Sequence, residues 1–540
     1  VFKSLQVDHL SWRHSLKTQV LIIGGGATGT GLARDLALRG IQCVLAEKRD
    51  INAGASGGNQ GLLHSGARYI ASDPSAAVEC QREGRLLKKL AAHCVEDTGG
   101  LFVAVAGDDE NYIADFPHRC AQYGIPACVM DIKDALEMEP ALSDQIIAVF
   151  RVEDATIDPF RLSLANIAHA QQLGARLLRF TQTVDFKIVN EKIRSVLLLD
   201  RTSGKKISIE PEIVVNASGA WAGEVAALAG VHIPMRYSKG SMLVTNTRIT
   251  QQVVNRLRCP ADGDILAPGG TVSILGTTSE RVESPDLYYP EIHEVDHIIE
   301  QGAAMLPILA STQYIRSFSG VRALVGTEDM SDDRNVSRGF TLIDHSHESE
   351  RIKNFVTITG GKLTTYRLMA EKTVDLVCKH LGITQPCQTH IEPLPQTADS
   401  KWTKPGLAPR LWIQKKNPKD QLLCECQMVP QSAIDSITSS ICKQNGVPSL
   451  NAIGLRSRIG KGSCQGMFCS LRISSYLYDR KEFSDTQGLQ NLCEFLSERW
   501  RGLHSLQWDL PLIKFELMEA LHCGLFGLEL TCTGRRENLS

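Results

Sequence analysis

Two sets of residues in this 540-residue chain are of types and spacings that could carry redox chemistry. In the first, Gly24, Gly26 and Gly29 fit G-x-G-x-x-G. The first glycine permits a tight turn, the second lets backbone approach a pyrophosphate, and the third lets a helix pack closely on a strand. Glu47 follows 18 residues after Gly29, close to where an acid hydrogen-bonds a ribose diol. In the second set, Cys424 and Cys426 form a C-x-C pair and Cys464 and Cys469 a C-x4-C pair, enough thiolate to enclose one metal site. Arg456, Arg458 and Lys461 would offset the negative charge, and Gly460, Gly462 and Gly466 leave backbone N–H groups to bond sulfur. Iron–sulfur and zinc both suit four cysteines. Cys442 and Cys493 read as core residues.

The elements that must position the glycine turn are legible around it. Thr18 to Ile23 reads as a buried strand, Thr28 to Arg39 as a helix on the spacing of Leu32, Leu36, Ala33 and Ala37, and Gly40 as its stop. Ile41 to Ala46 reads as a second strand. The helix N-terminus then aims free N–H groups at phosphates, with Gly24, Gly26, Ala27, Thr28 and Gly29 as contacts. NAD and FAD share this signature, and three later segments point to the flavin. Gly54 to Tyr69 is a long small-residue loop that can follow a ribityl chain, with Ser56, Asn59, Gly61 and Leu63 as candidate contacts. Ile213 to Ala217 is an apolar strand entering a second small-residue crossing at Ser218 to Gly223, offering Ala217 and Gly219. Phe355 to Thr359 is a strand ending in Gly360-Gly361-Lys362-Leu363-Thr364-Thr365, followed by a helix to about His380. Gly361, Lys362, Leu363 and Thr364 are its candidate contacts, and the positive helix end there would favour an anionic reduced ring.

From about Thr18 to Gly382 the chain resembles the FAD-dependent glycerol-3-phosphate dehydrogenases, within the wider group built on the D-amino-acid-oxidase fold. The matching blocks are the glycine turn, Gly61 to Tyr69, Asp158-Pro159-Phe160-Arg161-Leu162, Ser319-Gly320-Val321-Arg322 and Thr359 to Arg367. Beyond that, the chain looks like the long A subunit of the anaerobic, multi-subunit form, and the four cysteines are similar to the [2Fe-2S] domain of bacterioferritin-associated ferredoxin. The resemblance implies a Rossmann-like α/β FAD-binding fold with an α+β substrate part, and a small, mainly helical four-cysteine domain. It implies that glycerol 3-phosphate is oxidised to dihydroxyacetone phosphate. Two partner chains, one a second soluble subunit, the other a membrane-bound iron–sulfur subunit, would carry electrons to quinone.

Such a substrate brings a phosphate dianion and a secondary alcohol. The resemblance implies that Arg322, Arg338 and Arg68 hold it, as planar forks suited to phosphate, while His64 and Lys362 lie near flavin N5. His64 is the favoured base, because an imidazole accepts a proton near neutrality; Lys362 is the second candidate. Where single-chain relatives carry histidine after Lys-Gly-Ser, Lys239-Gly240-Ser241 is followed here by Met242, so that histidine's role is absent or moved. Lys239 reads as a phosphate contact or a strand flank.

Composition sets the outer bounds. Lys and Arg number 58 against 60 Asp and Glu, which removes the field of a nonspecific nucleic-acid binder. No apolar run approaches the ~20 residues that cross a bilayer, and the opening residues lack a secretory pattern; these features read as cytoplasmic, peripheral to the membrane through partners. The expected division is an FAD-dependent domain at 18–382 with its substrate part within 80–345, a Pro-rich extended linker at 383–421, the four-cysteine domain at 422–475 and a helical extension at 476–540. In the extension, Leu510, Ile513, Leu517 and Leu521 make a helical stripe that packs on the small domain, with a membrane or partner contact as the alternative.

Overall fold

Strands that are apolar at every position need cover on both faces, and the first two strands have it. In the computed structural model, which describes residues 15–286, 288–326, 339–347, 351–397, 400–443, 446–484 and 486–528, β1 (Ser15–Ile23) and β2 (Cys43–Ala46) run parallel, with Val20 opposite Cys43 and Ile23 opposite Ala46. Between them, α1 (Ala27–Leu38) packs Leu32, Ala33, Leu36 and Ala37 onto the sheet. α2 (Pro74–Leu90) follows the small-residue loop. α3 (Pro159–Gln172) is capped by Asp158, which accepts from the N–H groups of Phe160 and Arg161, and adds Ile167 and Ala170 to the same core.

β3 (Lys206–Asn216) lies parallel to β1, with Asn216 opposite Ile23. β4 (Met235–Thr245) and β5 (Tyr314–Val325) are antiparallel partners in a second, nine-stranded sheet. β6 (Phe355–Gly360) returns to the first sheet parallel to β3, and α4 (Tyr366–Leu381) buries Met369, Ala370, Val374 and Val377 against α1 and the sheet. The carboxyl ends of β1, β3 and β6 therefore converge on one edge, the position at which open parallel sheets bind ligands. Each expected strand and helix of this part is present, with ends shifted by at most seven residues; the largest shift is at the start of β3.

The C-terminal region is mainly helical and has its own core, including Ile434, Ile437, Ile453, Ile473, Phe495 and Leu496. The linker is not extended throughout. Trp402 is buried in that core and Leu407–Lys415 is a helix, with Pro409 in the first turn where a missing N–H costs nothing. Cys442, expected in the core, is exposed, while Cys493 is buried.

α5 (Gln487–His504) and α6 (Asp509–Phe526) close the described chain. α6 does pack on the small core, but through Phe515, Met518, Cys523 and Phe526. The expected stripe faces the other way: Leu510, Ile513, Leu517, Leu521 and also Leu525 are more than half exposed. The small lobe is docked by polar groups. Arg456 Nη1 donates to Asp50 Oδ2 at 3.0 Å with Arg456 buried and Asp50 partly so, Ser317 Oγ donates to the Gly502 carbonyl at 2.9 Å, and Lys461 Nζ stands 5.0 Å over the Phe160 ring.

Candidate functional site

At the end of β1, Gly24 adopts φ +112°, and a Cβ there would stand 2.5 Å from the Ala217 carbonyl oxygen. Only glycine lets the first turn cross the end of β3 so closely. Gly24 N–H donates to the Ala46 carbonyl and Ala217 N–H to the Ile23 carbonyl, which locks the three strand ends together. Gly26 precedes the helix, and the Ala27 N–H donates to Ser56 Oγ at 2.9 Å, so the small-residue loop seats on the amino end of α1. Glu47 accepts from Gly25 N–H at 2.6 Å and Arg49 N–H at 2.7 Å. Burial raises its pKa against these two donors, and the carboxylate is fixed beside the glycine turn. This glycine cradle and its oriented acid fit an extended dinucleotide.

The other expected contacts divide. Asn59 serves its own loop: its Nδ2 donates to the Ala55 and Ser56 carbonyls and its Oδ1 accepts from Gly61 N–H. Leu63 is a core side chain, as is Ala27, so any ligand contact there would be through backbone. Thr28 Oγ1 approaches Met369 Sδ at 3.9 Å. Gly219 has φ +62° with open space where its Cβ would be, and its carbonyl accepts from Thr359 Oγ1 at the end of β6. Gly361 also has positive φ, and Leu363 to Thr365 form one tight turn leading into α4.

That third crossing meets the loop of His64. His64 N–H donates to Thr364 Oγ1 at 3.2 Å, and its Nε2 lies 3.2 Å from the Tyr69 hydroxyl. Lys362 Nζ stands 4.6 Å over the Tyr69 ring. His64 is half-buried yet surrounded by protein; burial, then Arg68 and Lys362, push its pKa down to about 3. The imidazole is therefore neutral across the physiological range. Its backbone is held by Asp154, which accepts from Ser65 N–H at 2.7 Å. Arg367 forms a buried two-bond fork with Glu83 at 2.7 Å, fastening α4 to α2.

Arg68 donates through Nη2 to Asp264 Oδ2 and the Ala261 carbonyl, both at 3.2 Å, while its Nη1 is buried without a hydrogen-bond partner. A buried unpaired guanidinium nitrogen is costly, and an anionic ligand would satisfy it. Arg322 lies opposite Ser238 across the β4–β5 ladder; its guanidinium donates to the Thr278 carbonyl, Thr277 Oγ1 and Ser238 Oγ. Gly240 makes room for it, because a Cβ there would stand 2.6 Å from Nη2. Arg338 lies outside the described residues. Lys239 is not available to phosphate: its Nζ sits among Glu294 at 2.9 Å, Glu280 at 3.1 Å and Glu291 at 3.5 Å. Met242 is buried opposite Phe318.

The sequence reading missed Tyr69, although it ends the block that contains His64. It also missed Asp264, Asp154 and the Thr277–Thr278 pair, for which spacing offers no signal.

The four expected cysteines do come together. Cys424 and Cys426 sulfurs are 3.7 Å apart and Cys426 and Cys464 sulfurs 3.6 Å, and Cys469 interacts with both Cys424 and Cys464. No three of the four sulfurs lie mutually within 4.8 Å. The Cys464 thiol is held well below its ordinary range by the neighbouring Cys426 and Cys469 groups, with further help from the N–H groups of Gly466 and Phe468. Cys426 is pushed far up by Cys424 and Cys464. Four sulfurs this close cannot ionise together without a cationic centre among them.

The chain matches the family model described as FAD dependent oxidoreductase over residues 19–376. It is 38% identical over 537 residues to the A subunit of the anaerobic glycerol-3-phosphate dehydrogenase of Escherichia coli (strain K12), covering 96% of this chain and 98% of that one. It is also 38% identical to the A1 subunit of the Haloferax volcanii enzyme of the same name, covering 93% of this chain and 89% of the relative. Among solved structures it is similar to the glycerol-3-phosphate dehydrogenase from Bacillus halodurans complexed with FAD, with a TM-score of 0.62 at 21% identity over 92% of this chain and 97% of that one. The FAD-bound L-alpha-glycerophosphate oxidase from Mycoplasma pneumoniae gives a TM-score of 0.57 at 20% identity over 69% and 97%.

Proposed function

The chain belongs to the FAD dependent oxidoreductases and, within them, to the family of anaerobic glycerol-3-phosphate dehydrogenase A subunits, and on that premise we propose that it oxidises sn-glycerol 3-phosphate to dihydroxyacetone phosphate. FAD is its redox cofactor and supplies the two-electron acceptor for the hydride leaving C2. The observation that carries the reading is the gathering of His64, Tyr69, Lys362 and Arg68 where the small-residue loop meets the turn before α4.

Gly24, Gly26 and Gly29 hold the pyrophosphate, Glu47 the ribose, and Gly219, Gly361 and the backbone beside Thr364 the remainder of the cofactor. Arg322 and Arg68 hold the phosphate of the substrate, with Arg338 as a third arginine. The neutral imidazole of His64 takes the C2 hydroxyl proton at Nε2. Before substrate arrives two cations oppose that protonation; a phosphate dianion beside them reverses the sign of the field and raises the proton affinity of the ring. Lys362 stays beside the reacting centre as a cation. Replacing Arg322 with Ala tests the substrate: KM for glycerol 3-phosphate should rise far more than for glycerol, and equal effects on both would contradict the assignment.

The four cysteines hold a [2Fe-2S] cluster in this proposal. Zinc, which four thiolates also suit, is the alternative occupant. Iron and zinc analysis of anaerobically purified protein distinguishes the two. As a working division, the FAD-dependent part spans 18–382 and the four-cysteine unit 422–475, joined through 383–421 and followed by the helical extension.

Electrons then leave through partner subunits to quinone. The relatives are named as one subunit of several, no helix among the described residues is long and apolar enough to cross a membrane, and the exposed stripe on α6 offers a surface for a partner chain. Its flanking Glu516 and Glu519 disfavour direct contact with anionic lipid. The enzyme is accordingly peripheral, held at the cytoplasmic face through those partners.

A further inference from the structure

The segment after α4 carries a second set of metal-ligating groups that the oxidation of substrate does not use. Glu371 projects from the second turn of α4, and Cys387 and His390 follow as C-x-x-H in the proline-rich stretch. A carboxylate oxygen, the Cys387 sulfur and an imidazole nitrogen all lie within 4.8 Å of one another, and among the described residues this is the one such group. We infer that Glu371, Cys387 and His390 bind one zinc ion, with water as the fourth ligand, and that the ion clasps the proline-rich stretch to α4.

The donor set fits. One thiolate, one imidazole and one carboxylate are the three ligand types zinc accepts in tetrahedral sites. The turn is shaped for it, since the N–H groups of Ile391 and Glu392 both return to the Gln388 carbonyl, folding the stretch back between Cys387 and His390. Burial is graded across the site: Cys387 is buried, Glu371 half-buried and His390 exposed, which leaves a solvent side for the water ligand.

Around the site Arg34, Arg39, Arg367 and Lys372 stand among the carboxylates of Asp35, Glu83, Glu371, Asp375 and Glu392. Arg39 pairs with Asp35 at 2.9 Å and Asp375 at 2.8 Å, and Arg367 pairs with Glu83 and Glu371. Binding as a thiolate, Cys387 would release one proton from sulfur to solvent. The bound set of Zn2+, thiolate, carboxylate and neutral imidazole is neutral. Arg367 occupies one oxygen of Glu371, an outer partner of the kind that orients a ligating carboxylate.

The clasp reinforces contacts that already hold this stretch to the FAD-binding part: Arg34 Nη2 donates to the Glu392 and Pro393 carbonyls, and Leu394 N–H to the Leu90 carbonyl. The test uses the full chain with FAD in place, comparing wild type, H390A and C387S, each also carrying C464S and C469S to silence the four-cysteine ring. His390 is exposed and Ser is close in size to Cys, so both substitutions leave the core intact. In the silenced background the unaltered site should bind one zinc per chain, and H390A or C387S should weaken it at least about 100-fold, beyond the 10–100-fold typical of losing an outer partner. Cobalt in place of zinc should give a thiolate-to-metal absorption band with the Cys387 protein and none with C387S. Zinc should also raise the Tm, increasing with the logarithm of its concentration above Kd, only where the three ligands are present. Equal zinc affinity in all three proteins, or no zinc uptake by the one that retains Cys387 and His390, overturns the site. If the four-cysteine mutations prevent folding, zinc counts on the otherwise unaltered chain, with and without H390A, decide it by a difference of one ion or none.

Discussion

His64 and Tyr69 meet through the imidazole Nε2 and the phenol hydroxyl, 3.2 Å apart, with their rings edge to face at 5.1 Å. The five-residue spacing brings a base and a polar phenol to one point, and Lys362 stands over the same phenol ring. If His64 moves the substrate proton, H64N should lower kcat by about 10²–10⁴-fold, the range for loss of a general base. Y69F removes the hydroxyl that meets His64 Nε2 and should cost about two- to tenfold. Steady-state rates with an artificial acceptor separate the two, and an H64N enzyme within threefold of wild type would remove His64 from the proton step.

The same imidazole should leave a mark on stability. Its folded pKa is depressed from 6.5 to about 3, so above pH 6.5 it is neutral in both folded and unfolded chains and contributes no pH dependence. As pH falls from 6.5 towards 3 the unfolded chain takes up a proton that the folded chain refuses, and stability is lost through that window. H64N should therefore lose less Tm than wild type between pH 6.5 and pH 4. Parallel curves would mean that the ring is freely protonated in the native state.

Gly24 and Gly40 both adopt positive φ, but only a Cβ on Gly24 would strike backbone, while at Gly40 nothing lies within 4 Å. G24A should be purified with little flavin, and G40A should keep a normal ratio of flavin to protein at a cost of about 1 kcal/mol or somewhat more in stability. Visible absorption against protein concentration measures both. Full flavin content in G24A would show that the first turn does not need its close crossing of β3.

Docking of the small lobe depends on a largely buried pair, Arg456 with Asp50. Burial alone would raise the Asp50 carboxyl, and the two arginines Arg456 and Arg179 overcome it and lower it. R456A leaves that carboxylate with Arg179 at 3.6 Å and the Ile51 N–H at 2.8 Å, so the loss should approach but not exceed the roughly 3–5 kcal/mol of a broken buried pair. The double change R456M with D50N should be milder than R456A alone. Calorimetry reads this as an earlier, separate transition of the small lobe in R456A; an unchanged single transition would assign the docking to Ser317 and its neighbours instead.

What could be read in advance was local or periodic. The strand, glycine turn and helix around Gly24 follow from hydrophobic spacing, and the four cysteines from two short pairs, because each signal lies within a few residues. The fate of single cations was not legible. Lys239 is caged by Glu280, Glu291 and Glu294, and half of the Arg68 fork is taken by Asp264, 196 residues away in sequence. Both outcomes are set by how two sheets pack, for which spacing carries no signal. The stripe on α6 was read correctly as a helical face and wrongly as its buried one, since Phe515 and Phe526, outside the stripe, fill the small core.

The central claim is that glycerol 3-phosphate gives up a hydride beside His64 and Lys362. Anaerobic titration of the purified, FAD-containing chain with glycerol 3-phosphate, with visible spectra recorded at each addition, tests it most directly. The oxidised flavin bands should bleach within the turnover time and dihydroxyacetone phosphate should appear in step, with glycerol producing neither at equal concentration. A flavin spectrum that stays oxidised under saturating glycerol 3-phosphate would contradict the account.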